Sequence, residues 1–381
     1  MGPPSFASLI RKGTSFFNPE SAPQPSSFSK APEGTLFPSV DPSTDGEDCL
    51  QDCASCTIHY PAKFGIDEEE KLYGRVKGWA THMLVATAKT DWVRDVEDEK
   101  GSVMEAVRDC GAKPSNGRLM LSASNMPIPS QHSSDSLPPK DQPTTVLLLP
   151  AFTIIENVTP ASVSTLITHY INSAPTNTTP LFSFAANGTT PTPPESSTPS
   201  IPQSLEPPIP PPEAFTTRPS PHKALLLLCS QRTRDARCGQ SAPLLRREFE
   251  RHLRPLGLYR DLSDERPGGV GIYFISHVGG HKFSANLMVY RSRELVEGDE
   301  KVKGLYSVRE NGAAAKEEGP SGEEEKGASN MGEAAQCIWL ARIRPEDCEG
   351  IVKFTVLQGK VVKPERQLRG GFDRGRGVVS W

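Results

Sequence analysis

Two pairs of residues have types and spacings that could do chemistry. Cys229 and Cys238 are separated by eight residues in "CSQRTRDARC", and His277 and His281 by three in "HVGGH". Thiolates and imidazoles bind zinc and iron alike. Two of each fit a tetrahedral zinc ion, or a [2Fe-2S] cluster in which two histidines replace two cysteines. Ligand type alone leaves both readings open. The loop between the cysteines carries Arg232, Arg234 and Arg237, and this positive charge favours thiolate over thiol. The histidine spacing is not that of a zinc protease. There the two histidines of H-E-x-x-H share a helix with a glutamate base, whereas Val278, Gly279 and Gly280 oppose a helix and supply no carboxylate. Paired glycines instead allow positive φ and let the backbone come close to something bulky, as in a loop wrapped round a cofactor. The plainer reading is a connection between strands with two surface histidines.

Cys49, Cys53 and Cys56 form a third group in "CLQDCASC". The C-x3-C-x2-C spacing is that of the radical-SAM [4Fe-4S] cluster. That chemistry needs a large α/β barrel after the motif, and here a smaller unit and a proline-rich tract follow. A second metal site, with His59 as a further ligand, or free redox-active thiols remain. Cys110, Cys337 and Cys348 fall in or beside predicted helices and strands and read as small buried hydrophobes.

The elements that must position these residues follow from apolar patterning. An apolar strand over 224–228 delivers Cys229 at its end, and a strand over 271–276 delivers His277. Lying parallel, the two would bring all four ligands to one end of a sheet. A helix over 243–253 is predicted from Ser241 as cap, Pro243 in the first turn and Leu245, Phe249 and Leu253 on one face. Strands over 285–290 and 337–343 and a helix over 345–357 complete this half. The first half repeats the order, with strands over 83–88, 118–123 and 146–149 and helices over 101–109 and 160–170. Such an order predicts an α/β (α+β) protein of two thioredoxin-like units, each with a small mixed sheet.

Composition sets the boundaries between them. The 381 residues include 37 prolines and 31 glycines, with 36% hydrophobic residues, which points to folded pieces separated by polar ones. Residues 1–45 read as a disordered arm, 46–172 as the first unit, 173–221 as a Pro/Ser/Thr-rich linker and 222–365 as the second unit. Within the second unit, 310–335 is an acidic, low-complexity insertion, and 366–381 reads as a flexible Arg/Gly tail. A net charge of -4 and a pI near 6.1 give no reason to expect nucleic acid or an anionic membrane as partner. No apolar run approaches the roughly 18 residues that cross a bilayer. Residues 1–19 carry Arg11 and Lys12 but no acid, faintly like a mitochondrial presequence.

Taken together, "CSQRTRDARCG", "FISHVGGHKFSANLMVY" and "WLARIRPEDCEGIV" resemble the sucrase/ferredoxin-like family of thioredoxin-like ferredoxins. "THMLVATAKTDWVRD" and "CASCTIHYPAKFGID" extend the resemblance into the first unit. It implies that Cys229, Cys238, His277 and His281 hold a [2Fe-2S] cluster carrying single electrons, in an electron carrier rather than an enzyme. Departures are the long linker, the acidic insertion and "SANL", where relatives have Ala-Gly-Asn; none touches a ligand. No pair of carboxylates stands out as a glycosidase acid and nucleophile, so the first half of the family name finds no chemistry here. The first unit has "ATAKTDW" after its first strand, with no cysteine there, and reads as a copy without the cluster. Imidazole ligands imply a potential above that of plant-type ferredoxins and a dependence on pH.

Val379, Ser380 and Trp381 are similar to the C-terminal tripeptide of clients of the cytosolic iron-sulfur targeting complex. That favours the cytoplasm, with the mitochondrion as the alternative. A zinc-binding interaction module and a thiol oxidoreductase using Cys49, Cys53 and Cys56 are the competing functions.

Overall fold

The structure is a computed structural model and describes residues 28–128, 142–181, 215–298 and 332–381. Its strands are β1 (Ser29–Lys30), β2 (Thr81–Ala86), β3 (Leu119–Ser124), β4 (Thr144–Leu149), β5 (Thr153–Val158) and β6 (Thr216–Pro219). The second half contributes β7 (Ala224–Cys229), β8 (Tyr259–Arg260), β9 (Val270–Ile275), β10 (Leu287–Ser292), β11 (Ala334–Leu340), β12 (Leu368–Asp373) and β13 (Val378–Val379).

The two halves repeat one topology. In the first the strand order is β3-β2-β4-β5, and in the second β9-β7-β10-β11. The leading pair is parallel and the other neighbours are antiparallel in both. The helical stretches over 160–171 and 345–356 even share an irregularity, a wide π turn at Leu166–Ile171 and at Ile351–Val356.

The two small sheets expected from the sequence are one continuous sheet among the described residues. β3 and β9, each the outermost of the four strands named for its unit, pair antiparallel at Ser124 and Ile275, and β8 pairs with the start of β9. Two short polar side chains extend the join: Asn125 accepts from the Phe274 N–H at 2.7 Å, and Ser276 accepts from the Ala123 N–H at 3.0 Å. An edge left open would be a row of unpaired donors and acceptors, and these two edges satisfy one another.

Alternation along β7 shows why its sequence is uniformly apolar. Leu226 and Leu228 pack on one face with Leu245, Phe249 and Leu253 of the helix Ala236–Leu253. Leu225 and Leu227 pack on the other with Tyr290 and Trp339. A strand covered on both faces needs no polar positions.

Three expectations are corrected. The helix predicted from Ser241 begins at Ala236, because Asp235 accepts from the Arg237 N–H at 2.9 Å and caps an earlier turn, leaving Pro243 inside the helix. Residues 366–381 are no flexible tail: β12 adds to β11, and β13 turns back onto β12. The glycines there serve close approach, since a Cβ on Gly371, at φ 138°, would lie 1.9 Å from the Cys337 carbonyl oxygen. The arm is likewise ordered from residue 28, with β1 paired to β13 and Leu36 and Phe37 fully buried. Most of the linker (182–214) and residues 310–331 of the acidic insertion lie outside the described residues, while Ala334 and Ala335 at the insertion's end already belong to β11. At the linker's ends, Leu181 is buried and β6 pairs with β5.

Candidate metal centre

β7 and β9 run parallel and finish level, with Cys229 opposite Ile275, so Cys229 and His277 leave the same end of the sheet. The early start of the helix Ala236–Leu253 puts Cys238 in its first turn, where backbone N–H groups favour a thiolate. His281 begins a short turn, His281–Phe283, after Gly279 (φ 89°) and Gly280 (φ 70°). Positive φ at two successive positions is tolerated because neither residue has a side chain.

The four residues come together as two like pairs. The Cys229 and Cys238 thiols are close enough for a hydrogen bond between them, with Cys229 as donor. That donation, followed by burial, pushes the Cys229 thiol up, while accepting it holds Cys238 below the usual cysteine range. His281 Nδ1 lies 3.4 Å from His277 Nε2. The pairs meet through Val278, whose N–H is directed at the Cys229 sulfur. Burial, reinforced by His281, Arg234 and Arg369, lowers the His277 imidazole to about 4, which keeps it neutral and able to ligate. Its Nδ1 is buried without a hydrogen-bond partner.

No three of these four donors lie within 4.8 Å of one another; among the described residues such convergence occurs only at Cys53, His252 and Glu349. A single zinc ion would draw all four donors to one point. Two and two is the distribution of a binuclear cluster with both histidines on one iron.

Arg369 is the residue that sequence reasoning missed. It comes ninety positions after Gly279 and donates to the Gly279 carbonyl at 2.7 Å and to Asn286 Oδ1 at 3.0 Å. Its guanidinium lies 4.3 Å from the centre of the Trp339 ring, and a thiolate at Cys229 would act on it favourably. Burial lowers it to about 10, so it remains a cation at neutral pH. The bulky group admitted by the glycine pair is therefore a side chain of the protein itself: a Cβ on Gly280 would meet the guanidinium at 2.5 Å. Nothing in local spacing could have found it.

The first unit braces the cysteine loop. Asp91 accepts from the Thr233 N–H at 3.0 Å and from its hydroxyl at 2.8 Å, Ser230 donates to the Thr90 carbonyl at 2.8 Å, and Arg234 pairs with Asp95 at 2.6 Å. Gln231 spans the join, donating to the Val93 carbonyl while accepting from the His277 N–H at 2.8 Å. The loop arginines thus serve partly as ties, Arg237 being paired with Asp235 at 2.8 Å. Beside them a cleft of about 580 Å³ reaches His277 and is lined by Arg75, Lys77, Arg94, Arg118 and Arg369, with Asp95 and Glu97 opposing them. A larger cleft, about 720 Å³, lies in the first unit and has no cysteine or histidine in its wall.

Elsewhere the expected groupings separate. Cys49 packs with Val40, Phe354 and Val362, apart from Cys53 and Cys56. Cys53 faces His252 instead, and His59 is exposed. Cys337 and Cys348 are buried as expected, and Cys110 is partly so. At the end of the chain, Ser380 Oγ accepts from the Gly371 N–H at 3.0 Å and the Trp381 ring lies 4.4 Å from that of Trp79.

The sucrase/ferredoxin-like family profile matches residues 72–370, which include all four candidate ligands and Arg369. The chain belongs to that family. Among curated members similar to this sucrase/ferredoxin-like chain, Actin patches distal protein 1 of Saccharomyces cerevisiae is 53% identical over 68 residues, 18% of this chain and 22% of that protein. Altered inheritance of mitochondria protein 32 of Clavispora lusitaniae is 28% identical over 152 residues, 40% of this chain and 37% of that protein. The matched stretches thus span well under half the length of these relatives. No solved structure matches the chain. No helix among the described residues is long and apolar enough to cross a membrane.

Proposed function

We propose that this chain is a [2Fe-2S] electron carrier, with Cys229 and Cys238 holding one iron and His277 and His281 the other. The observation that carries the reading is the pairing itself: thiols in mutual contact, imidazoles 3.4 Å apart, and no convergence of three donors. When bound, such a cluster accepts and releases one electron at a time. The chain's own part is to set how readily that happens. Arg369 places a buried cation within electrostatic reach of Cys229 and favours the more negative, reduced state. The imidazoles carry exchangeable ring protons and couple reduction to proton uptake, so the potential should fall as pH rises. A redox partner has its access at the basic cleft that reaches His277, and an acidic surface on that partner is the complement.

The family membership and the names of the relatives support a redox role and leave the cytoplasm and the mitochondrion both open. We take the cytoplasm as the working location. A cytosolic iron-sulfur targeting complex reading Val379, Ser380 and Trp381 would have to draw the Trp381 indole off Trp79.

The test is anaerobic purification of the full chain. A coloured protein with two irons per chain and an EPR signal on one-electron reduction is the expected result; colourless protein with stoichiometric zinc at Cys229 and His277 overturns it.

A further inference from the structure

The helix Ala236–Leu253, which carries Cys238 in its first turn, ends beside a second set of metal-ligand side chains. Cys53 Sγ is 3.9 Å from His252 Nε2. Cys53, His252 and Glu349 each bring one donor atom within 4.8 Å of the others. Cys56, in the same turn as Cys53, has a side-chain contact with Glu248, whose Oε2 is 3.6 Å from the same His252 Nε2. Glu248 and His252 are four residues apart on one helix face, and Glu248 is only 1% exposed. Zn–S near 2.3 Å and Zn–N or Zn–O near 2.0–2.1 Å put tetrahedral donor separations at about 3.3–3.8 Å. The Cys53–His252 separation is therefore within a few tenths of an ångström of that around a zinc ion.

We propose that Cys53, His252 and Glu349 bind zinc(II), with Cys56 closing the tetrahedron. Thiolate, imidazole and carboxylate together are a zinc donor set. Without the ion, a cation is already in place: Arg251 donates to Cys53 Sγ at 3.3 Å and to Glu248 at 2.9 Å. Zinc displaces only the contact to sulfur. Arg251 is 40% exposed and can swing outward while its Nε stays on Glu248. Cys53 and His252 are 199 residues apart in sequence, so the ion would staple the segment before the first strand of the first unit onto the second unit's helix. Cys238 and His252 are fourteen residues apart on that helix, which separates the zinc from the cluster ligands by about 21 Å.

Full-length protein with its cluster in place is equilibrated with zinc(II) against a competing chelator, and zinc and iron are counted by mass spectrometry. Wild type and Cys49→Ser should retain a single zinc at the same free concentration. Cys53→Ser and His252→Ala should need at least about tenfold more, with iron unchanged in all four. Failure of the wild type to retain zinc, or retention by Cys53→Ser and His252→Ala equal to that of the wild type, overturns the proposal. Alkylation of the unaltered chain covers the case in which a variant fails to fold. Zinc should protect Cys53 and Cys56 and a chelator should expose them, while Cys110 reacts alike in both; equal alkylation of Cys53 with and without zinc refutes the site.

Discussion

Gly280→Ala sets a methyl group where the Arg369 guanidinium already lies, 2.5 Å from its carbon and from one nitrogen. The same change at Gly279 does not, because there the nearest atom is Arg369 Nη2 at 3.6 Å, an ordinary contact. Both glycines have positive φ, 89° at Gly279 and 70° at Gly280. Each alanine therefore costs about 1 kcal/mol in backbone strain. Only the second must also push the guanidinium off the Gly279 carbonyl or off Asn286 Oδ1, contacts of 2.7 and 3.0 Å. A charged, buried hydrogen bond is worth about 1.5–3 kcal/mol. Gly280→Ala should then lose about 2 kcal/mol more than Gly279→Ala, measured by urea unfolding of the cluster-free full chain. In the cluster-bound protein the shift of Arg369 away from Cys229 should also lower the potential, at about 59 mV for each 1.4 kcal/mol of lost attraction. Equal destabilisation by the two alanines would refute the role given to Arg369.

Replacing His277 or His281 by cysteine should keep a cluster and lower its potential by on the order of 100 mV, with a weaker dependence on pH; an unchanged midpoint in potentiometry speaks against histidine ligation. Gln231→Leu has similar volume but loses the bond to the His277 N–H, so cluster release to a chelator should quicken several-fold while the secondary structure, read by circular dichroism, holds. His82, buried between Tyr290 and Ser122 with its imidazole lowered to about 3 by burial, makes folding sensitive to acid. A group held neutral in the fold but protonated at about 6.5 when unfolded contributes its full stability above pH 6.5 and loses it as pH falls towards 3. At pH 5 the loss from His82 is about 2 kcal/mol. His82→Gln should flatten that part of the stability–pH curve, and an unaltered curve would show that the imidazole protonates freely in the fold.

The strands and the candidate ligand positions were legible because their signals are local. "ALLLLC" reads as a strand covered on both sides, and its last residue is a cysteine that leaves at the sheet end. "HVGGH" shows a turn by its glycines. What could not be read depends on partners far away in sequence. Arg369 sits in a stretch whose arginines and glycines look like a flexible tail. There Gly371 is required by the Cys337 carbonyl, and Arg374 is buried against Glu333 at 2.8 Å. The division of Cys49 from Cys53 was hidden for the same reason, since their surroundings come from Phe354 in one case and His252 in the other.

The duplicated fold raises the question of what the copy without ligands does. Ala86 closes β2 in the register position at which Cys229 closes β7. The next residue, Thr87, donates its hydroxyl to the Ser124 carbonyl at 2.7 Å and accepts from the Trp92 indole at 2.8 Å. This end of the first sheet is thus closed by side chains, and the closure fixes the residues that follow. Thr90, Asp91, Val93 and Asp95 then hold Ser230, Thr233, Gln231 and Arg234 of the cysteine loop. The absence of candidate ligands in one copy and the bracing of candidate ligands in the other go together. Asp91→Ala removes two of those bonds at a site with no candidate ligand of its own. It should loosen the cluster as Gln231→Leu does, and leave the potential of the intact cluster where it was.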